Sequence, residues 1–342
     1  MTMKKFLIKI TYTLLPLWLL AVAGVCYFTL VVCPNVTGDI GRLAFIPFGH
    51  EYDDNLEKSF PAEQVFTTVL DIDALRASRC DVITIGDSFS ERGKDGYQNY
   101  LALKGLDVVN AGRYLYYSPV TFAYEMMDLG IIDSTNASVL IVECVERAFN
   151  EFFVGFDPKT ELVAAAKEKE KLVGSPNEWS LLRVRDFIVY NSGVMTPPII
   201  KKELNRDFFT SDNPRTLYFY VDDIKTLYIK DSQVATIKST YQALLAKARE
   251  KGLMLILLVP VDKYDLYQQY IVDNPYPEKQ TNDMIRRFLD DDPHIVLAKD
   301  CLQPMVDRGE KDVYLYNDTH WSYKAARVVA DEVYNRIQQL KD

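Results

Sequence analysis

Asp81-Val82-Ile83-Thr84-Ile85-Gly86-Asp87-Ser88-Phe89-Ser90 is the stretch from which the fold is read. Its first half is a short apolar, β-branched run that stops at a glycine, the pattern of a buried strand. The polar segment at about 89–104 reads as a helix stopped by Gly105, and Leu106 to Asn110 as a second strand. A helix-like segment near 119–129 and a third apolar run, Ala137 to Cys144, continue the alternation. Beyond about 225 the order returns. Val234, Ile237, Tyr241, Leu244, Leu245 and Ala248 share one helical face ahead of Gly252, and Leu253 to Val259 is a continuous apolar strand. A helix over 278–290, a strand from His294 to Ala298, and a last amphipathic helix marked by Ala326, Val329, Val333, Ile337 and Leu340 complete the series. Strands that alternate with helices and are apolar throughout require a parallel sheet covered on both faces. The expectation is a three-layer α/β/α domain over 76–342, with an insertion at about 150–225 where the pattern blurs.

Upstream, residues 34–75 carry turn signals without a strong period and read as a juxtamembrane segment. Residues 1–33 are a short basic stub and an apolar run. From Ile10 to Val32 there is no charged residue, and as a helix these 23 positions would span roughly 34 Å, enough for a bilayer core. Lys4, Lys5 and Lys9 precede the run, which by the positive-inside rule keeps the N-terminus cytoplasmic and exports the remainder. A cleaved signal peptide is the competing reading. The run is longer than a typical signal core and lacks an A-x-A exit.

The chain has 342 residues, 48% of them apolar, ample for a large core. Its formal net charge is −9 although the first 33 residues hold three lysines and no acid, so the domain is more acidic still. An acidic surface without a basic patch makes nucleic acid a poor partner. Cys26, Cys33, Cys80, Cys144 and Cys301 form no C-x-x-C pair and no disulfide framework, though one bridge would be permitted in an oxidising compartment.

In a sheet of this kind, active sites gather at the C-terminal strand ends. Ser88 stands there, directly after the first strand and at the opening of a helix, where its N–H faces the position of a developing oxyanion. A helix-capping role for Ser88 or Ser90 would fit the same turn. A nucleophilic serine requires a base, and the base an orienting carboxylate. Of the three histidines, His50 lies in the juxtamembrane stretch and His294 starts a strand. His320, in Asn317-Asp318-Thr319-His320-Trp321 ahead of the last helix, has a carboxylate two residues away in a loop expected at the same sheet edge. A surface histidine with its needs met is the plainer reading of that motif alone. The two motifs on one edge together point to Ser88, His320 and Asp318 as a catalytic set.

The Gly86-Asp87-Ser88 turn, Asn110-Ala111-Gly112 after the second strand, and the C-terminal Asp318-x-His320 resemble the SGNH (GDSL-type) hydrolase superfamily. Asp318-Thr319-His320-Trp321 and Pro260-Val261-Asp262-Lys263-Tyr264-Asp265-Leu266-Tyr267 are similar to its alginate O-acetyltransferase-like branch, over roughly 80–340 with the insertion unmatched. In the alginate enzymes the Asp-x-His motif precedes the serine. Here it follows, in ordinary SGNH order. The resemblance implies Ser88 as nucleophile, His320 as general base, Asp318 as its orienter, and the N–H groups of Ser88 and Gly112 as oxyanion donors. The third SGNH block normally supplies an asparagine, but Glu143-Cys144-Val145-Glu146-Arg147 has none. Arg147 is a possible substitute, with a structural Glu–Arg pair the favoured alternative. Lys263 and Tyr264, at a strand end, are substrate contacts or structural residues in equal measure, and Trp321 is a site wall or, preferably, core.

The resemblance further implies O-acetylation of an exported or cell-surface polysaccharide through a serine-linked acetyl-enzyme. The acetyl group would come by way of a membrane-bound O-acyltransferase, with no cofactor and no metal. It implies a single-pass protein of the bacterial inner (cytoplasmic) membrane whose catalytic domain is periplasmic or extracellular. An esterase removing acetyl from glycans would use the same residues, and a non-catalytic accessory partner of the acyltransferase would need none of them.

Overall fold

The computed structural model describes residues 3–34, 38–43, 45–46, 63–158, 181–194 and 196–341. His50 and the Lys/Glu-rich run at 167–171 lie outside them. The sheet is built from β1 (Thr67–Val69), β2 (Val82–Ile85), β3 (Val108–Ala111), β4 (Val139–Glu143), β7 (Met254–Val259) and β8 (Ile295–Leu297). They run in the order β1-β3-β2-β4-β7-β8, with every neighbouring pair parallel. Without β1 the order is that of a flavodoxin-like sheet, in which the first strand lies between the second and the third. The expected α/β class is therefore what the chain forms.

Side chains of each strand alternate between two separate cores, as a sheet covered on both faces requires. Val139 and Ile141 of β4 and Ile256 and Leu258 of β7 enter one core. Leu140, Val142, Leu255, Leu257 and Val259 enter the other. The helix Tyr97–Leu103 and the last helix, Tyr323–Lys341, pack on the first face; Pro119–Asp128 and Asp231–Glu250 cover the second. Local chemistry sets the helix ends. Ser118 Oγ accepts from Thr121 N at 3.2 Å with Pro119 in the first turn. Gly252, at φ +68°, ends Asp231–Glu250 as its sequence foretold. The polar stretch after β2 is less regular than expected: short 3-10 turns over Ser88–Glu91 and Gly93–Asp95 precede the helix.

Thr67–Val69 was expected in the juxtamembrane segment, but it pairs with β3 through Thr67↔Val109 and Val69↔Ala111, so the sheet begins before residue 76. Asp39–Arg42, also in that segment, forms a short helix against the loop at Asn317. Within the insertion, the helix Leu181–Asn191 precedes an antiparallel hairpin of β5 (Ile199–Glu203) and β6 (Thr216–Tyr220).

Met3–Val32 is the one helix among the described residues that is long and apolar enough to cross a membrane, by length and composition. Its last turn widens, Cys33 N donating to Phe28 O at 2.8 Å. The Phe28 ring meets Phe187 edge-on at 5.3 Å, so the end of this helix rests on Leu181–Asn191. All five cysteines are free thiols.

Candidate active site

The strand order places the switch point between β2 and β4, and Ser88 stands there, one turn beyond the end of β2. Gly86 makes the turn possible. A side chain on it would collide with Ser90 Oγ and the Glu143 carboxylate, which pass directly over its Cα. Asp87 fixes the loop from within: Oδ1 accepts from Phe89 N at 3.0 Å and Oδ2 from Val145 N at 2.8 Å. Ser90, not Ser88, is spent on structure; its Oγ donates to Glu143 Oε2 at 2.9 Å.

Ser88 Oγ lies 2.7 Å from His320 Nε2. On the far side of the ring, Nδ1 lies 2.5 Å from Asp318 Oδ1. Asp318 Oδ1 also accepts from His320 N at 3.2 Å, and Oδ2 accepts from Arg92 Nη1 at 3.0 Å. Burial opposes ionisation of this carboxyl, but the imidazole and the Arg92 guanidinium outweigh it and hold its pKa well below 3.8. Phe89 lies against the imidazole, with centroids 4.6 Å apart, and Trp321 packs on Phe89 from behind. A hydroxyl bonded to one ring nitrogen, with a carboxylate on the other, lets the imidazole accept the hydroxyl proton as the oxygen attacks.

The residues read from the sequence separate into two groups. Ser88, Asp318 and His320 come together. Arg147 does not face them: its Nη1 bonds Asp262 Oδ1 at 2.8 Å and lies 3.7 Å from Asp223, within a buried network that also takes in Lys279. Lys263 is fully buried; its Nζ reaches the carbonyls of Leu315, Tyr316 and Asp318 at 2.6, 3.2 and 2.8 Å. It props the loop that carries the acid. Tyr264, buried likewise, donates to Pro277 O at 2.9 Å. Trp321 is 1% exposed and belongs to the core. The expected donor at Gly112 is engaged elsewhere. Its N–H donates to Val69 O at 2.9 Å, because β1 adds to the edge of β3 and takes up that amide. Ser88 N–H meets no acceptor among the described residues.

Arg92 and Asp39 are contributions the sequence did not reveal. Asp39, Asp318 and His320 bring three possible metal-ligand atoms within 4.8 Å of one another. Where the three meet, Asp318 Oδ1 is bonded to His320 Nδ1 and Asp39 accepts from the Thr319 N–H and hydroxyl.

Ser88, His320 and Asp318 thus form one chain of contacts at the switch point of a doubly covered parallel sheet. The comparison with protein families sharpens this: residues 219–342 match the SGNH hydrolase-like domain of acetyltransferase AlgX. The alginate O-acetyltransferase-like resemblance seen in Asp318-Thr319-His320-Trp321 is thus supported over the stretch that holds Lys263, Asp318 and His320. Ser88 lies outside the matched residues. No curated protein matches the chain.

Proposed function

We propose that the protein is an O-acetyltransferase that acetylates an exported or cell-surface polysaccharide. Ser88 takes the acetyl group as an ester, His320 first accepts the serine proton and then draws the proton from a sugar hydroxyl, and Asp318 orients His320. The observation that carries this reading is the Ser88 Oγ–His320 Nε2 contact of 2.7 Å, continued to Asp318. Acetyl rather than another acyl group is favoured by the match of residues 219–342 to the SGNH hydrolase-like domain of an acetyltransferase.

A sugar acceptor is favoured by a cleft of about 570 Å³ lined by Phe45, Tyr190, Tyr218, Tyr276, Lys201 and Lys202, among others. Flat aromatic faces offer stacking area to pyranose rings at little entropic cost. The cleft borders the catalytic loop through β6, whose Tyr218 packs edge-on against Tyr316 at 5.5 Å. The apolar helix Met3–Val32 anchors the domain on the exported side of the bacterial inner membrane, where a membrane-bound O-acyltransferase would deliver acetyl.

The test is turnover of a chromogenic acetyl ester by the full chain, with and without an oligosaccharide acceptor. Acetylated sugar, abolished by Ser88→Ala, is the expected result. Acetate release indifferent to the sugar would make the protein an esterase. No Ser88-dependent turnover would leave it an accessory of the acyltransferase.

A further inference from the structure

We propose that Asp39 is a positioning residue of the Ser88 site, clamping the Asp318–His320 pair from the segment that leaves the membrane-spanning helix. This rests on the acyl-enzyme reading of that site. Asp39 lies seven residues beyond Val32, outside the stretch matched to the acetyltransferase domain. Its Oδ1 accepts the Thr319 N–H at 2.8 Å, and its Oδ2 accepts the Thr319 hydroxyl. Thr319 is the residue between Asp318 and His320, so both of its donors are held by one carboxylate. The same carboxylate stands 3.8 Å from His320 Nδ1.

The backbone around Asp39 is shaped to this contact. Ile40 N and Gly41 N both donate to Asn317 O, at 3.0 and 3.1 Å, so the carbonyl preceding Asp318 is fixed as well. Gly38 sits at φ +69° against Asn317, where a β-carbon would collide with its carbonyl oxygen.

The surroundings of Asp39 argue against a mere surface clip. Its side chain is 12% exposed, and among the described residues its only ion-pair partner is His320. A buried carboxylate with no lysine or arginine within ion-pair distance is costly unless its hydrogen bonds are needed where they are. Those bonds go to the backbone and side chain at the centre of Asp318-Thr319-His320. As the imidazolium forms during proton transfer, a second carboxyl group faces Nδ1 beside Asp318.

The test uses the full chain in lipid nanodiscs, with Asp39→Ala and Asp39→Asn beside wild type and Ser88→Ala. Ser88 is titrated with a fluorophosphonate so that kcat is expressed per reactive site. Asp39→Ala is expected to lower kcat per site roughly ten- to a hundredfold while KM stays within about twofold, since displacing a catalytic group by about 1 Å has that cost. Asp39→Asn, which keeps an acceptor for the Thr319 amide, is expected to restore kcat to within about threefold of wild type on the same reasoning. A purely structural residue would reduce the number of titratable sites and leave kcat per site unchanged; that result overturns the proposal.

A second readout needs no turnover. Amide exchange over residues 313–322 is expected to quicken roughly tenfold in Asp39→Ala and to return near wild type in Asp39→Asn. Unchanged exchange in Asp39→Ala overturns the clamp. Absence of Ser88-dependent turnover in wild type overturns the acyl-enzyme reading, while the exchange result still decides the clamp.

Discussion

At the residue scale, Asp318 is where charge decides the outcome. It is 2% exposed, yet it stays ionised because His320 and Arg92 surround it. Asp318→Asn keeps the shape but offers the imidazole an amide, which favours the wrong tautomer. Turnover of an acetyl ester should fall about 10⁴-fold, by analogy with the same change in serine-protease triads. The variant also has a pH signature. A carboxyl whose folded pKa lies below its unfolded value near 3.8 contributes stability that is complete above that pH and lost as the pH falls through the folded value. Wild type should therefore lose more stability than Asp318→Asn on acidification from pH 5 to pH 2, as followed by urea midpoints. Ser88, Asp318 and His320 could be read from the chain because each of their motifs is local. Lys263 reads from the chain equally as a substrate contact or a structural residue, and only its burial beneath the carbonyls of Leu315, Tyr316 and Asp318 shows that it supports the loop. Asp39 and Arg92 carry no local signal, since their meaning comes from contacts 280 and 226 positions away.

At the element scale, the apolar strands were legible because burial on both faces leaves few polar positions to confuse the pattern. β1 was not, since Thr67-Thr68-Val69 is too short to show a period and gains its identity only by pairing with β3. That one strand also explains the fate of the Gly112 amide. Between β4, β6 and β7 lies a second feature invisible in the sequence, a buried network of Arg147, Lys279 and Lys299 facing Asp223, Asp262, Asp265 and Glu146. Acids outnumber bases there, so a proton is retained. Burial and then Asp262 push Asp223 up to about 7. Because its folded value is raised, the stabilising proton is fully bound below the unfolded value of 3.8, and its contribution is lost as the pH rises through about 7. Asp223→Asn, neutral throughout, should flatten this part of the profile. Its melting temperature should fall less than that of wild type between pH 5 and pH 8, as calorimetry would show.

At the scale of the whole molecule, the sequence divided the chain into anchor, connecting segment and catalytic domain, whereas the structure joins the second to the third. The connecting segment supplies β1 to the sheet and Asp39 to the loop that holds Asp318 and His320, and the end of the apolar helix leans on the insertion through Phe28 and Phe187. A boundary drawn at residue 76 follows the start of strong hydrophobic periodicity, and periodicity says nothing about a segment that folds by docking onto others.

The pairing of Asp39 with Thr319 has a temporal side. Synthesis proceeds from the N-terminus, so Asp39 is made 280 residues ahead of its partner. Ser88 is likewise complete long before His320 exists. Contacts of such long sequence separation form late and at high entropic cost. The nascent chain would therefore carry its serine through translation with His320 not yet beside it, and the contact would form only when the last loop closes against the first. A chain arrested at Tyr316 and treated with fluorophosphonate should leave Ser88 unlabelled, whereas the completed chain should react.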